Sequence, residues 1–477
     1  MSNLTMLTDL YELTMMYGYL KHGMERRRAV FDMFYRQPPG GSSYSIMAGV
    51  EQLRDYILNL HFDEDDLAYL RSLKLFDEEF LEKLRNFRFT ADIYAVPEGS
   101  IIFPGEPIVR VEGELFQVQL IETAMLNIVG HQTLIATKAN RIVRAAQGVK
   151  VMEFGLRRAQ GPDAGVYGAR AAVVGGCTST SNVLTGQMFG IPVSGTHAHS
   201  WVMSFESELE AFRAYARCFP NACMLLVDTF DTLRSGVPNA ITVFRELRKR
   251  GHEPVGIRLD SGDLAYLSRE ARRMLDEAGF PNTVIVASND LDEYLIRELI
   301  TQGARIDLWG VGTKLITSAD GPALGGVYKM SAIEENGALA PRMKRSDNPG
   351  KITLPGRKEV YRLYDEQGMA IADYITLADE VVDTSRELTI FDPNETWKRM
   401  TLKNFTAVPL LAPLFKDGQP VGENPTLAEI NAHRTAQEKT FWDQYLRITN
   451  PHTFKVDLSD RLWQLRNDLL SRNEHES

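Results

Sequence analysis

The run Arg258-Leu-Asp260-Ser-Gly-Asp263 sets an arginine and a carboxylate two residues apart, and side chains two apart on a strand leave it from the same face. Carboxylates so placed suit ribose hydroxyls, or Mg²⁺ around a diphosphate, and the guanidinium fork suits a carboxylate or phosphate. Asp260, Ser261 or Asp263 could equally cap a following helix, and the two roles are compatible. A second cluster is Ser194-Gly-Thr196-His197-Ala-His199-Ser200. Two histidines at i, i+2 without a third ligand at a recognised spacing are no metal site, and a hydrogen-bonded structural histidine is the ordinary case. A histidine at a strand end beside Gly, Thr and Ser nevertheless suits a nucleophile whose phosphoramidate is cradled by hydroxyls and N–H groups. A third group, Gly310-Val-Gly312-Thr313, lets backbone N–H groups approach phosphate oxygens and adds a hydroxyl; alone it reads as an ordinary turn.

These groups need a scaffold that points them one way. From about Lys150, apolar runs recur before helical stretches: 151–155, 172–176, 191–196, 224–228, 255–260, 284–288 and 306–310. Between Asp260 and Gly279, Leu264, Leu267, Ala271, Met274, Leu275 and Ala278 share one helical face. Such alternation indicates a parallel sheet with crossover helices. Seven runs, with Gly326–Met330 as an eighth, suit an irregular (β/α) barrel, and an open doubly wound sheet is the alternative. Both fold types put the site at the carboxyl ends of the strands. That mouth would gather Glu153, Arg157, Thr196, His199, Asp228, Asp231, Arg258, Asp260, Asp263, Ser288, Asn289 and the 310–313 turn, a set suited to a phosphorylated sugar.

The 477 residues carry 53 Lys+Arg against 63 Asp+Glu, a net charge of −10, with 44% apolar residues. The chain is long enough for more than one domain. Without a basic block it lacks the surface that grips nucleic acid or an anionic membrane. No apolar run approaches the roughly 18 residues of a membrane span, and Met1–Leu20, with Asp9 and Glu12, is unlike a secretory signal. Three cysteines, Cys177, Cys218 and Cys223, match no zinc or redox spacing, which fits free core thiols in a reducing, cytoplasmic compartment. Residues 5–20 read as a helix capped by Thr8 or Asp9, 63–84 as a helix, and 362–402 as β-rich; 424–444 and 458–470 read as helical, and 472–477 as a fraying tail. The expected domains are an N-terminal α+β part over 1–135, the barrel over 136–345, and a C-terminal segment, 346–477, that packs with the N-terminal part as a second α+β domain. Tyr11 reads most simply as a core-facing aromatic and Lys344–Lys358 as a solvated basic loop.

Motifs in order along nearly the whole chain give it a resemblance: Leu7-Thr-Asp-Leu-Tyr11-Glu-Leu-Thr-Met15, Glu153-Phe-Gly-Leu-Arg-Arg-Ala-Gln-Gly161, Gly195-Thr-His-Ala-His199-Ser, Val227-Asp-Thr-Phe-Asp231, Ile257-Arg-Leu-Asp-Ser-Gly-Asp-Leu264, Val286-Ala-Ser-Asn289, Gly310-Val-Gly-Thr313 and Leu354-Pro-Gly-Arg-Lys358. In these it resembles the nicotinate phosphoribosyltransferase family. The resemblance implies that nicotinate and 5-phosphoribosyl 1-diphosphate give nicotinate mononucleotide and diphosphate, coupled to ATP hydrolysis through a phosphohistidine, with Mg²⁺. It implies His199 as the phosphorylated residue, Tyr11 stacking on the pyridine across a homodimer interface, and Arg258, Thr196, Phe154 and Arg157 around nicotinate. Asp263, Ser288, Asn289, Gly310, Gly312 and Thr313 would hold the phosphoribosyl diphosphate, and Lys344 and Lys358 ATP or phosphate. Asp228 or Asp260 would stabilise the oxocarbenium-like centre, with Asp260 also open to Mg²⁺. The pyridine nitrogen needs no deprotonation, so no general base is required. The competing readings are a sibling acting on nicotinamide or quinolinate, and a barrel that binds phosphosugars without catalysis; Arg258 and Arg157 favour a charged pyridine acid over nicotinamide.

Overall fold

Short apolar runs with capped helices between them build a parallel sheet in the middle of the chain. The computed structural model describes residues 3–471, so the tail at 472–477 lies outside the described residues. Internal contacts divide the chain into two units, one of Ile135–Pro322 and the other of the chain before and after it.

In the middle unit the strands are β1 (Lys150–Glu153), β2 (Ser179–Thr180), β3 (Met224–Leu226), β4 (Gly256–Leu259), β5 (Val284–Asn289) and β6 (Leu308–Val311). They lie in the order β2-β1-β6-β5-β4-β3, each pair parallel. The central residues of these strands are buried, as a parallel sheet requires. Asn182, Ser207, Asp263 and Asp292 each accept a backbone N–H three residues on. Each therefore starts a helix, Val183–Phe189, Glu208–Cys218, Leu264–Glu277 or Glu293–Thr301, at a fixed point.

Two of the seven expected strand runs are not ladder strands. Residues 172–176 close the helix Pro162–Val174, which is buried along most of its length and so reads as an apolar run whatever its period; the strand is instead the polar Ser179–Thr180. Residues 191–196 contribute only one bridge, Val193 to Thr180. Among the described residues no ladder joins that segment to β3, which leaves a seam between the two in the six-stranded parallel ladder of the irregular (β/α) unit. At the seam the Leu226 N–H donates to His197 Nε2 at 3.3 Å.

The other unit is α+β. Its main sheet runs in the order Ala338–Pro341, Gly326–Glu335, Arg28–Tyr35, Val109–Glu114, Asp92–Ala95, Ala412–Lys416, Gln419–Pro420. Gly326–Met330 is thus no eighth barrel strand: Gly326–Glu335 pairs antiparallel with Arg28–Tyr35, and the unit boundary falls after Pro322 instead of after residue 345. A second sheet joins Thr406–Pro409, Lys358–Tyr364, Ala370–Leu377 and Lys455–Leu458. The first helix is Leu10–Lys21 with Asp9 at its N-cap position, though without a side-chain cap hydrogen bond: Thr8 donates to Glu12, and the Asp9 carboxylate accepts from Thr123. The 63–84 stretch is two helices, Glu64–Ser72 and Glu78–Arg85, because Asp63 and Asp77 each cap one.

Three ionisable side chains are sealed together inside this unit. Arg362 grips Asp373 through Nε at 2.8 Å and Nη2 at 2.7 Å, and Glu106 accepts the Phe103 N–H. All three are fully buried. Burial, reinforced by the Asp373 carboxylate, holds the Glu106 carboxyl well above its ordinary range, so Glu106 is the neutral member of the trio. Arg362→Leu should therefore cost about 3–5 kcal/mol by stranding Asp373. Glu106→Gln, which keeps a donor and the shape, should cost under about 1 kcal/mol. Urea denaturation of both variants checks this, and equal losses would assign Glu106 a buried charge.

Candidate active site

The site grows from Asp228, the second residue past β3. Its Oδ2 accepts the Asp260 N–H at 2.8 Å and the Ser261 hydroxyl at 2.7 Å, which ties the loop after β4 to the end of β3. From β4, Arg258 donates through Nε to Ser288 Oγ at 2.7 Å, through Nη2 to Asp260 Oδ1 at 2.8 Å and through Nη1 to Thr196 Oγ1 at 3.4 Å. Ser288, on β5, donates to the same Asp260 oxygen. Burial would raise the Asp260 carboxyl, but the Ser288 hydroxyl and the Arg258 guanidinium outweigh it and hold it below the ordinary carboxylate value. Asp260 is therefore an anion at neutral pH.

Phe154 lies just past β1, with its ring centroid 5.7 Å from the Arg258 guanidinium carbon. The reason for Gly310 and Gly312 is visible here: a Cβ on Gly310 would meet the Phe154 ring at 2.7 Å, and one on Gly312 the Phe154 carbonyl oxygen at 3.1 Å. The turn's glycines thus make room for Phe154. Behind it, buried Glu153 accepts the Thr180 hydroxyl at 2.6 Å and the Gly155 N–H, and burial raises its carboxyl.

The two histidines part company. His197 packs on Tyr215 with ring centroids 4.7 Å apart, and burial pushes its imidazole down to about 4, so it is a neutral structural acceptor. His199 opens the helix His199–Met203, with its side chain 40% exposed. Its Nδ1 lies 3.1 Å from Thr229 Oγ1 and its Nε2 3.8 Å from Asp260 Oδ2. Arg258, Asp260, Asp228, Ser288, Thr196, His199 and Phe154 are thereby brought together. Other expected site residues take local roles. Asp263 accepts Tyr266 N–H as a helix cap, and Asp231 accepts the Leu233 and Arg234 N–H groups. Asn289 accepts the Asp290 N–H, Arg157 is exposed on the turn Leu156–Arg158, and Thr313 starts the helix Thr313–Ile316 after Gly312.

In the other unit, Tyr11 is 45% exposed, contrary to a core-facing aromatic, and burial and then the neighbouring Glu122 raise its phenol. Lys344 is exposed. Lys358 is no solvated loop residue: it is buried, 2.8 Å from Asp32 Oδ2, and donates to the Leu354 and Gly356 carbonyls. Its ammonium hydrogens are engaged, so it is not an open phosphate contact. It lines a cavity of about 300 Å³ with Asp32, Arg36, Lys329, Thr353 and Arg466, a basic pocket that sequence spacing did not single out because its cations are scattered over the chain. Ser261 and Thr229 were also passed over; each adjoins an acid in a strand-end motif, and that adjacency was the available signal.

Among the described residues no three His, Cys, Asp or Glu side chains are grouped to hold a metal ion, and no helix is long and apolar enough to cross a membrane. Of the cysteines, Cys177 and Cys223 are buried and Cys218 is exposed.

Comparison with known proteins agrees along the whole length. The model of the nicotinate phosphoribosyltransferase N-terminal domain matches residues 6–130, that of the nicotinate phosphoribosyltransferase family residues 149–366, and that of its C-terminal domain residues 357–466. The chain is 46% identical to nicotinate phosphoribosyltransferase of Bacillus subtilis, covering 99% of this chain and 97% of that protein. To the protein of that name from Dictyostelium discoideum it is 36% identical over 97% of this chain and 88% of the relative. The crystal structure of human nicotinic acid phosphoribosyltransferase superposes with a TM-score of 0.86 at 32% identity, covering 97% of this chain and all of that one.

The seam gives a pH signature. His197 is harder to protonate folded than unfolded, so stability is intact above the ordinary histidine value near 6.5 and falls as the pH drops toward about 4. His197→Leu should melt a few degrees lower at pH 7, about the worth of one lost hydrogen bond, and that gap should narrow by pH 5. Thermal melts across this range check it; a constant gap would detach His197 from the acid loss.

Proposed function

The chain belongs to the nicotinate phosphoribosyltransferase family, and from that premise we propose how its residues join nicotinate to ribose. The reaction forms a bond from the pyridine nitrogen to C1 of 5-phosphoribosyl 1-diphosphate and breaks the bond to diphosphate. It yields nicotinate mononucleotide, the first step of NAD salvage from nicotinate.

The observation that carries the residue assignment is the Arg258 guanidinium, fixed by Ser288, Asp260 and Thr196 beside the Phe154 ring. A guanidinium bonded once through each of its three nitrogens keeps one further N–H on each terminal nitrogen for the nicotinate carboxylate, while the aromatic faces the pyridine. Nicotinamide, with a neutral amide, would take only the weaker uncharged hydrogen bonds from those two N–H groups. As the diphosphate departs, positive charge grows on the ribose ring, and the ionised Asp260, supported by Asp228 through the loop backbone, opposes it at no cost in reorganisation. The 310–313 turn cradles the 5′-phosphate, with Ser288 and Asn289 toward the sugar.

We further propose ATP coupling through a phosphohistidine at His199, whose ring is partly exposed beside Asp260. The N–P bond forms as the bond to ADP breaks, and water later releases phosphate, so each turnover gives ADP, phosphate and diphosphate. The oxygen chemistry of the site suits Mg²⁺: Asp260 Oδ1 is engaged by Arg258 and Ser288, leaving Oδ2 as a carboxylate donor to an ion otherwise held by substrate phosphates. Bound there, Mg²⁺ would neutralise the leaving diphosphate. The pocket of Arg36, Lys329 and Arg466, with Lys344 as a further cation, suits a phosphate of ATP or of the diphosphate. The exposed ring of Tyr11 suits stacking on pyridine in a partner's site, within a homodimer. Three cysteines, odd in number and in no zinc or redox spacing, accord with a cytoplasmic home.

Purified protein with nicotinate, phosphoribosyl diphosphate and Mg²⁺ should make nicotinate mononucleotide by chromatography, faster with ATP; no product in either mixture would sink the reading. His199→Ala should abolish acid-labile ³²P labelling from γ-labelled ATP and the ATP stimulation, with slow synthesis remaining, whereas loss of labelling in His197→Ala alone would move the assignment. Tyr11→Ala should raise the nicotinate KM about tenfold through loss of stacking. Mixed dimers of this variant with Arg258→Ala should regain activity if the ring acts in trans; no recovery would argue for a site within one chain.

A further inference from the structure

We infer that Thr229 is the positioning residue of His199, and that its hydroxyl fixes the orientation of the imidazole before phosphoryl transfer. The inference rests on the phosphohistidine reading and deepens it.

An exposed histidine on a short helix has a mobile χ2, and a nucleophile free to rotate spends most of its time misaligned. His199 lies in the five-residue helix His199–Met203, whose cap residue Ala198 makes no side-chain hydrogen bond, so the helix itself does little to hold the ring. Two groups face it. On one side is Asp260 Oδ2, 3.8 Å from Nε2 and beyond hydrogen-bond range. On the other is Thr229 Oγ1, 3.1 Å from Nδ1, the hydrogen bond that orients the ring. Thr229 comes from the loop after β3, directly beside Asp228, which is anchored to the Asp260–Ser261 loop. The ring is therefore aligned by the same loop that sets the acids, and strand geometry reaches the nucleophile through one hydroxyl.

The side chain is also the right kind. A hydroxyl donates to a bare Nδ1 or accepts from Nδ1–H, so it serves the ring in either neutral tautomer, and it adds no charge that would repel an incoming phosphoryl group. A carboxylate at this place would add a second anion beside Asp260.

Thr229→Val removes the hydroxyl and keeps the shape. It should slow single-turnover ³²P labelling of His199 by about tenfold or more, with the KM for ATP changed less than about twofold, because orientation is lost and binding is not. Thr229→Ser, which restores only the hydroxyl, should label within about threefold of the parent chain. Val labelling at the parent rate, or Ser as slow as Val, would overturn the inference. Labelling that survives in His199→Ala would instead overturn the phosphohistidine reading itself, whereas labelling absent in that variant and unchanged in Thr229→Val would overturn only the role of Thr229.

Discussion

One carboxylate oxygen organises the candidate site. Asp260 Oδ1 accepts from both Arg258 and Ser288, and the backbone N–H of the same residue is held by Asp228. Three strands, β3, β4 and β5, therefore converge on Asp260, and each contributes a group that would otherwise be a flexible surface side chain. The cation and the anion also compensate one another before any ligand arrives. Arg258 can stand partly buried without the penalty of an isolated charge, and Asp260 stays ionised in spite of its burial.

This arrangement explains how a chain of net charge −10 handles anionic ligands. At the candidate site the positive charge sits on the Arg258 guanidinium, already engaged by the Asp260 carboxylate. The field of such a pair falls off quickly, so the acidic molecule repels long polyanions while a small anion at contact distance still finds the unused N–H donors of Arg258.

Much of this was legible in the sequence. The turn of apolar runs into capped helices revealed the parallel sheet, and the Arg258, Asp260, Ser288 and His199 cluster followed from strand ends. The failures have physical causes. Residues 172–176 are apolar because a helix end is buried there, and burial erases the period that separates helix from strand. Ser179–Thr180 pairs in the sheet on polar side chains, because Thr180 serves Glu153. Gly326–Met330 has the composition of a strand, but composition does not name its partner, which is Arg28–Tyr35, almost three hundred residues earlier in the chain. Lys358 looked like a surface cation because its counter-ion, Asp32, is equally remote in sequence.

The contact between the glycine turn and Phe154 has a further bearing on how such a protein changes through time. Because the backbone of the turn rests against the aromatic ring and its carbonyl, the spacing between the 310–313 turn and the ring is set by a van der Waals distance and not by a loop's length. A side chain gained at Gly310 is admissible only with a smaller residue at 154, so the two positions are bound to drift as a pair. Other properties of the site can then be retuned elsewhere around the ring, while the spacing between turn and ring is inherited unchanged.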